Sequence, residues 1–275
     1  MTLHKPVTLP SLQRAKGCLD LIVAGAAGKT QLADLREQGS TRAVFPRDPT
    51  GAVTAVVLNT AGGLTGGDDF TLTATAKQAA TLRITTQAAE RVYATPDARA
   101  AQVRTMITVA DGALVQWLPQ ETILFDKSAL DRRLTVELAP TAKFLMVEPL
   151  VFGRSASGEV IQRVSLRDRV SIFRGGVPLY LDGIAVQGDL SRISNRTATA
   201  DGAGAAASIV LVDPHAEQHL EHLRDALGPK GGASLLQPDV LVARVLATDS
   251  YALRQMLLLT LDQMTGGFTP KNWRL

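Results

Sequence analysis

The sequence predicts a mainly β fold of stacked sheets with two α-helices near the C-terminus. Strand-like segments separated by turn residues follow one another from about Gly28 to Val186. Threonine and valine are frequent in these segments, as strands favour, and helical periodicity begins only in the last quarter of the chain. A chain of 275 residues can bury a substantial core. Because no clear linker divides it, we expect one domain over residues 1–275.

The strands follow from alternation and turn chemistry. In the segment 69–76, apolar and threonine side chains alternate, which is typical of a half-buried strand. The segment 101–119 predicts two strands joined as a hairpin by an Asp111-Gly112 turn. Further strands with internal turns are expected in two segments, 134–149 with Pro140-Thr141 and 164–186 with Gly175-Gly176.

The last quarter predicts two helices separated by short strands. The first helix is expected over 213–228, with Asp213 as its N-cap, Pro214 in the first helical position and Gly228 at its end. The second covers 249–267 and is apolar nearly all round, so it is either buried in the core or covered by another chain. Short strands are expected between the helices, around 234–236 and 240–247.

Three of the four histidines fall in the first predicted helix at positions i, i+4 and i+7, which places them on one helix face. Neutral imidazole is a good nickel ligand, so this face is a candidate metal site. It also borders the apolar stripe of the helix, where a solvated face is the more ordinary interpretation, and we favour that one. The three residues are His215, His219 and His222.

Charge and cysteine content limit the classes of function. The net charge is +3, and the basic residues are scattered, so no stripe tracks a nucleic-acid backbone. Cys18 is the only cysteine, which fits a reducing compartment. The N-terminal segment lacks a secretory pattern, and apolar stretches fall short of the roughly 20 residues that a membrane helix needs. We therefore expect a cytoplasmic protein without nucleic-acid or membrane partners.

Two segments approach enzyme motifs without completing them. A phosphate-binding loop at 24–30 would need glycine at Val23, and the segment leads into a predicted strand where a helix is required. A nucleophile elbow at 152–159 would need glycine at Ser157. Serine catalysis also needs a histidine near the nucleophile. The chain has four histidines, and three of them lie together in one predicted helix, which leaves few candidates for this role. The sequence therefore favours neither a nucleotide site at 24–30 nor a serine hydrolase.

The segment 59–69, NTAGGLTGGDD, predicts a tight loop because it carries two glycine pairs after an apolar strand. Such a loop holds Asp68 and Asp69 in fixed positions at the start of the next strand. Two interpretations stay open for this loop. The acids belong to a functional site, or they are exposed acids of an ordinary turn, where Gly-Gly-Asp is common.

Asp168 is unusual because it shares one strand face with apolar residues. Alternation places it in the same row as Leu166 and Val170. Burial of a lone carboxylate costs several kcal/mol unless it is paired. We expect Asp168 either to meet an arginine inside the fold or to line a wet internal channel, and we favour the ion pair.

Taken together, these segments resemble the UreD family of urease accessory proteins, also called UreH. Any one segment is weak evidence, but six in the same order are specific and span nearly the whole chain. The segments are 59–68, 85–93 (TTQAAERVY), 118–138 (LPQETILFDKSALDRRLTVEL), 148–159 (EPLVFGRSASGE), 174–183 (RGGVPLYLDG) and 270–274 (PKNWR).

The resemblance implies a non-enzymatic scaffold, or metallochaperone, that acts in urease maturation. Family members bind apo-urease and a helical accessory protein, UreF, which docks a GTPase, UreG, and the assembly couples GTP hydrolysis to nickel insertion. Asp68 matches the family's Gly-Gly-Asp position and is the first candidate to contact nickel in transit. We add Asp69 and Asp168 as further candidates, and we expect no stably bound cofactor.

Two alternatives stay open beside this interpretation. One is a free-standing enzyme that uses Asp68, Asp69 and Asp168 as acid and base groups, which requires the three carboxylates to converge in an open pocket. The other is a purely structural adaptor through which no metal passes.

Overall fold

The computed structural model describes residues 13–26, 28–96, 99–154 and 157–274. The N-terminal residues 1–12, on which the expectation of no secretory signal largely rests, lie outside these ranges. So does the centre of the segment 152–159.

Strands dominate the described residues, which confirms the mainly β prediction. In chain order they are β1 Lys16–Ala26, β2 Lys29–Gly39, β3 Thr41–Val44, β4 Val53–Asn59, β5 Asp69–Ala76, β6 Thr81–Thr86, β7 Glu90–Val92, β8 Ala101–Val109, β9 Leu114–Trp117, β10 Thr122–Leu124, β11 Ser128–Leu138, β12 Lys143–Phe152, β13 Val164–Arg174, β14 Val177–Gly188, β15 Ala205–Val212, β16 Gly231–Gln237 and β17 Val240–Ala247.

The strands form two stacked sheets, as predicted. Sheet A has the strand order β14-β13-β11-β8-β5-β1-β2. Sheet B has the order β16-β17-β15-β12-β9-β6-β4-β3, and β10 joins it through β12 and carries β7. One apolar cluster lies between the sheets, and a second lies where sheet B meets the C-terminal helices. The result is three layers: sheet A, sheet B and the helices.

The central strands alternate between the sheets along the chain. The chain passes from β5 in sheet A to β6 in sheet B, from β8 to β9, and from β11 to β12. We call one strand of sheet A and the following strand of sheet B a coil. Each strand pairs in parallel with the corresponding strand of the next coil, as in β5–β8, β8–β11 and β6–β9. The predicted hairpin at Asp111-Gly112 is wrong, because its two strands lie in different sheets.

The turns between the sheets explain that error. Asp111-Gly112 does form a tight turn, with Gly112 at φ 66° and Ala113 N donating to Ala110 O at 3.1 Å. The equivalent turns of the neighbouring coils, 77–80 and 139–142, have the same hydrogen bond. The turn residues thus specify a reversal of direction, and the pairing partner comes from another coil. Of the three predicted turns, Gly175-Gly176 is the one that joins an antiparallel hairpin, between β13 and β14.

Three α-helices occur in the described residues: α1 Leu190–Ser194, α2 Leu220–Leu227 and α3 Ser250–Met264. The first predicted helix begins later than expected, because residues Ala216–His219 form a 3-10 turn before α2. Asp213 is not its N-cap; its Oδ1 accepts from the backbone N–H of His215 at 2.8 Å. Gly228 ends α2 at φ 60°, as predicted. The short strands expected between the helices are β16 and β17.

The second predicted helix, α3, buries one face and exposes the other. Leu253, Leu257 and Leu261 are fully buried, whereas Tyr251 is 72% and Leu259 63% exposed. The helix is therefore neither fully buried nor uniformly apolar in its surroundings, because one face packs on the core and the other is exposed. In the part of the chain that the structure describes, no helix is long and apolar enough to cross a membrane.

The tail after α3 is anchored by Trp273. Its ring is fully buried in the apolar cluster between sheet B and the C-terminal helices, and its Nε1 donates to Leu118 O at 3.0 Å. Arg254 of α3 donates to Trp273 O at 2.8 Å and pairs with Glu121 through Nη2 at 2.8 Å. These contacts fix the C-terminal segment to the sheet.

Trp273→Ala should lower the free energy of unfolding by about 3–5 kcal/mol, because it empties a buried site and leaves Leu118 O without its donor. Urea denaturation followed by circular dichroism measures the change. Leu259→Ala, at an exposed position of α3, is the matched control and should stay within about 0.5 kcal/mol of the wild type. Equal midpoints for the two variants would contradict the anchoring role.

Candidate functional site

A layer of charged side chains crosses the interior between the two sheets. Arg132, Glu148 and Asp168 lie on β11, β12 and β13, and Arg132 and Asp168 are direct cross-strand partners. Alternate residues of a strand point to one face, so the side chains two positions before and after each of them share its face. Those flanking residues are buried and apolar: Leu130 and Leu134, Met146 and Leu150, and Leu166 and Val170. The charged layer is thus enclosed between two apolar layers.

The three charged groups form one network. Arg132 holds Asp168 in a bidentate pair, with Nε–Oδ1 at 2.9 Å and Nη2–Oδ2 at 2.5 Å. The same Nη2 lies 3.3 Å from Glu148 Oε2, and Nη1 donates to Thr122 Oγ1 at 3.1 Å. Trp117 Nε1 donates to Glu148 Oε1 at 2.7 Å. Arg132 and Asp168 come from sheet A and Glu148 from sheet B, so this network ties the two sheets together.

Burial and charge oppose each other in this network. Burial disfavours the charged guanidinium, but attraction to Asp168 and Glu148 outweighs it and raises the pKa of Arg132. Burial raises the pKa of Glu148, and the attraction of Arg132 offsets only part of that rise. Arg132 therefore stays charged at any physiological pH, and Glu148 is the member of the network that gains a proton more readily than an ordinary glutamate.

Two cavities adjoin the charged layer. The first, of about 280 Å³, is lined by the glycine-rich loop, by Glu90 and by Thr122. The second, of about 540 Å³, is lined by Asp168, Asp182 and α1. Arg132 and Glu148 line both cavities, so their side chains form the boundary between them.

Asp168 forms the ion pair that the sequence analysis favoured, with an arginine inside the fold. It also lines the second cavity. The strand alternation was therefore a reliable sign of burial. The identity of the partner, Arg132, came only with the pairing of β11 and β13.

Asp68 is buried, with 3% of its surface exposed, and supports the glycine-rich loop. Its Oδ1 accepts from Ala15 N and its Oδ2 from Thr65 N, both at 2.8 Å. The loop has the tight geometry predicted for it: Gly62 has φ 81°, and a Cβ on Gly63 would come within 2.4 Å of the Tyr93 ring. Asp68 thus shapes a wall of the first cavity without lining it.

Asp69 lies apart from the interior. Its side chain is 48% exposed and pairs with Arg104 at 2.7 Å. Neither Asp69 nor Asp68 lines either of the two cavities, so the structure does not bring the three predicted acids into one open pocket. The enzyme hypothesis required that convergence, and the structure provides no support for it.

Glu90 is an acid of the first cavity that the sequence analysis missed. Both of its carboxylate oxygens accept from Asn59 Nδ2, at 3.2 and 3.3 Å. Burial raises its pKa to about 7, Asn59 works against this rise, and the nearby charge of Asp68 adds to it. Glu90 follows the exposed residues Gln87 and Ala88, so no local pattern indicates that it is enclosed.

Asp182 was missed in the second cavity for a similar reason. It accepts from Tyr180 O–H at 2.9 Å and pairs with Arg244 of β17. Burial disfavours its charge, but hydrogen bonds from Arg244 and Tyr180 prevail and lower its pKa. β14 is an edge strand in which half of the residues are exposed and none is fully buried, and the contact with Arg244 comes from the distant strand β17.

The three histidines do not share one α-helical face, because His215 precedes the 3-10 turn, His219 ends it and His222 lies in α2. In the ranges that the structure describes, no three or more histidine, cysteine, aspartate or glutamate side chains lie close enough to hold a metal ion. In these ranges the interior acids therefore form no closed cage, although Glu148 and Asp168 lie near each other because both contact Arg132 Nη2.

The fold and the site define a layered β scaffold with two cavities between its sheets, each lined by both acidic and basic side chains. The chain matches the family described as UreD urease accessory protein over residues 15–272. It is 45% identical over 248 residues to urease accessory protein UreD of Roseobacter denitrificans, which covers 90% of each chain. The same named protein of Ruegeria pomeroyi is 45% identical, over 88% of this chain and 94% of its own. That of Rhizobium rhizogenes is 39% identical over the full length of both.

The chain therefore belongs to the UreD family of urease accessory proteins, which confirms the resemblance seen in the sequence. Family membership implies a role in urease maturation.

Glu90→Gln should change how stability depends on pH. A carboxyl whose pKa is about 7 when folded and near 4.5 when unfolded binds more protons in the folded state between these values. Its contribution to stability is complete below pH 4.5 and is lost as the pH rises through about 7. The measured quantity is the unfolding free energy of the wild type minus that of Glu90→Gln. As the pH rises across this window, the difference should fall by up to about 3 kcal/mol, since one pKa unit is about 1.4 kcal/mol. A constant difference between pH 4.5 and 8 would refute the assignment.

Proposed function

We propose that this protein is a cytoplasmic, non-enzymatic scaffold that binds apo-urease together with a UreF-type protein and, through it, a UreG-type GTPase. In that assembly it supports GTP-dependent insertion of nickel into the urease active site. Nickel is the cargo and moves through the interior between the two sheets. The observation that carries this proposal is the pair of cavities that meet at Arg132 and Glu148 in a member of this family, each of which has acids beside basic side chains in its lining.

The arrangement of acids suits an ion that has to move on. A closed set of thiolate and imidazole ligands would retain nickel, whereas single carboxylates and water release it. Glu90 in the first cavity, Glu148 at the boundary, and Asp168 and Asp182 in the second are spread along the interior. Glu148 and Asp168 lie together at Arg132, whereas Glu90 and Asp182 lie apart from them, and such an open set of ligands favours passage over storage.

The predicted transit residues take different parts in this proposal. Asp168 contacts the passing ion directly, because it lines the second cavity. Asp68 acts mainly by holding the glycine-rich loop and by adding negative charge near Glu90. Asp69 is half-exposed and pairs with Arg104, so it is the weakest of the three candidates for contact with nickel.

Loss of the whole chain tests the function itself. In a urease-positive cell that lacks this gene, purified urease should contain less than a tenth of its normal nickel, and its activity should fall with it. Re-expression of the chain should restore both, and it should co-purify with urease and the accessory proteins. Normal nickel content in the deletion strain would exclude a role in maturation.

Asp168→Asn tests passage through the interior against the purely structural adaptor. Nickel in urease should fall several-fold while the complex still assembles, because one oxygen ligand at the boundary loses its charge. Asp48→Asn is the matched control, since Asp48 also forms a buried ion pair, with Arg83 at 2.6 Å, and lines neither cavity. If both variants support normal nickel content, the adaptor without a metal route is the correct interpretation.

A further inference from the structure

The boundary between the two cavities is occupied by a cation that the protein itself supplies. Arg132 Nη1 reaches Thr122, which lines the first cavity, and Nε and Nη2 reach Asp168, which lines the second. Nη2 also lies 3.3 Å from Glu148, which lines both. The guanidinium therefore stands between two acids at the place where an ion would cross from one cavity to the other.

We propose that Arg132 is an exchangeable counter-cation that gates this crossing. A divalent cation passes only when it displaces the guanidinium from Asp168 and Glu148, and the guanidinium returns to the two acids when the metal leaves. This inference rests on the function proposed above and names the residue that controls passage in it.

Charge balance makes the exchange reasonable. With both acids ionised, the guanidinium and its two partners have one excess negative charge, and a divalent cation in its place neutralises both acids. The displaced guanidinium needs space and water, and the side chain borders a cavity of about 280 Å³ on one side and one of about 540 Å³ on the other. An arginine that has lost its partners is costly to keep inside a protein, which drives it back once the metal has gone.

The exchange also explains why the acids do not retain metal. Any ion that binds Asp168 and Glu148 has to compete with a cation tethered beside them, whose effective concentration is high. The bidentate geometry strengthens that competition, because the arginine fork matches a carboxylate. Removal of the guanidinium should therefore create a metal site where the wild type has none.

Equilibrium dialysis of the purified full-length chain against nickel chloride tests this at pH 8, where protons compete least for Glu148. Arg132→Gln should bind about one additional nickel ion per chain, at least tenfold more tightly than the wild type binds nickel at this place. Arg132→Gln combined with Asp168→Asn should lose the gain. If Arg132→Gln retains the wild-type circular dichroism spectrum and binds no more nickel than the wild type, the proposal is wrong. It is equally wrong if the double variant keeps the gain.

Arg83→Gln is the matched control. Arg83 is another buried arginine, paired with Asp48, but it lines neither cavity, so its removal should not increase nickel binding. A gain equal to that of Arg132→Gln would show that loss of any buried arginine loosens the protein, and would overturn the gate.

Arg132→Lys covers the case in which Arg132→Gln does not fold. Lysine keeps the positive charge but cannot hold Asp168 through two parallel hydrogen bonds, so nickel should displace it more easily. We expect at least threefold tighter nickel binding than in the wild type, and equal binding would refute the gate. None of these measurements uses urease, so normal urease nickel in the deletion strain would reject the proposed function without altering the binding result.

Discussion

The contact between Arg132, Asp168 and Glu148 is the constraint on which the interior depends. Two sheets that bury only apolar residues can pack at full density, and no cavity then remains between them. A charged layer cannot be packed in that way, because each group needs hydrogen-bonding partners at defined distances. The network satisfies those needs across the sheets, and the two cavities lie on either side of it. The same three residues thus hold the sheets together and keep space open between them.

The coiled path of the chain makes this arrangement possible. Because β11 and β12 are consecutive but lie in opposite sheets, one turn of the chain delivers Arg132 to one wall and Glu148 to the other. Parallel pairing with β13 then sets Asp168 directly beside Arg132. Apolar residues two positions away on each strand keep the layer thin. A hairpin fold with the same strands would place these side chains beside each other in one sheet and leave no boundary between cavities.

Much of the fold could be predicted from the sequence, and the errors have a common physical origin. Alternation identified strands and the buried position of Asp168, since side-chain direction is a local property. The Asp111-Gly112 turn was recognised, but a turn does not specify which sheet the next strand enters, so the hairpin was wrong. Arg132 and Glu148 were not singled out, because their meaning depends on pairing between distant segments. Glu90 and Asp182 were missed for the same reason, because each contacts a residue that is distant in the sequence. Asn59 donates to Glu90, and Arg244 pairs with Asp182.

The location of the acids also separates two roles that the sequence alone could not distinguish. Asp68 belongs to one of the six segments that resemble the family, yet both of its oxygens hold backbone N–H groups, so its removal alters the loop first. Asp168 lies in a less distinctive segment and faces the cavity. A residue can thus be typical of a family because it shapes the wall of a cavity, while an acid that faces a cavity is recognisable only by its burial and by the arginine that neutralises it. In this protein, burial and pairing are the evidence that distinguishes the acid in a cavity lining from the acid that builds the loop.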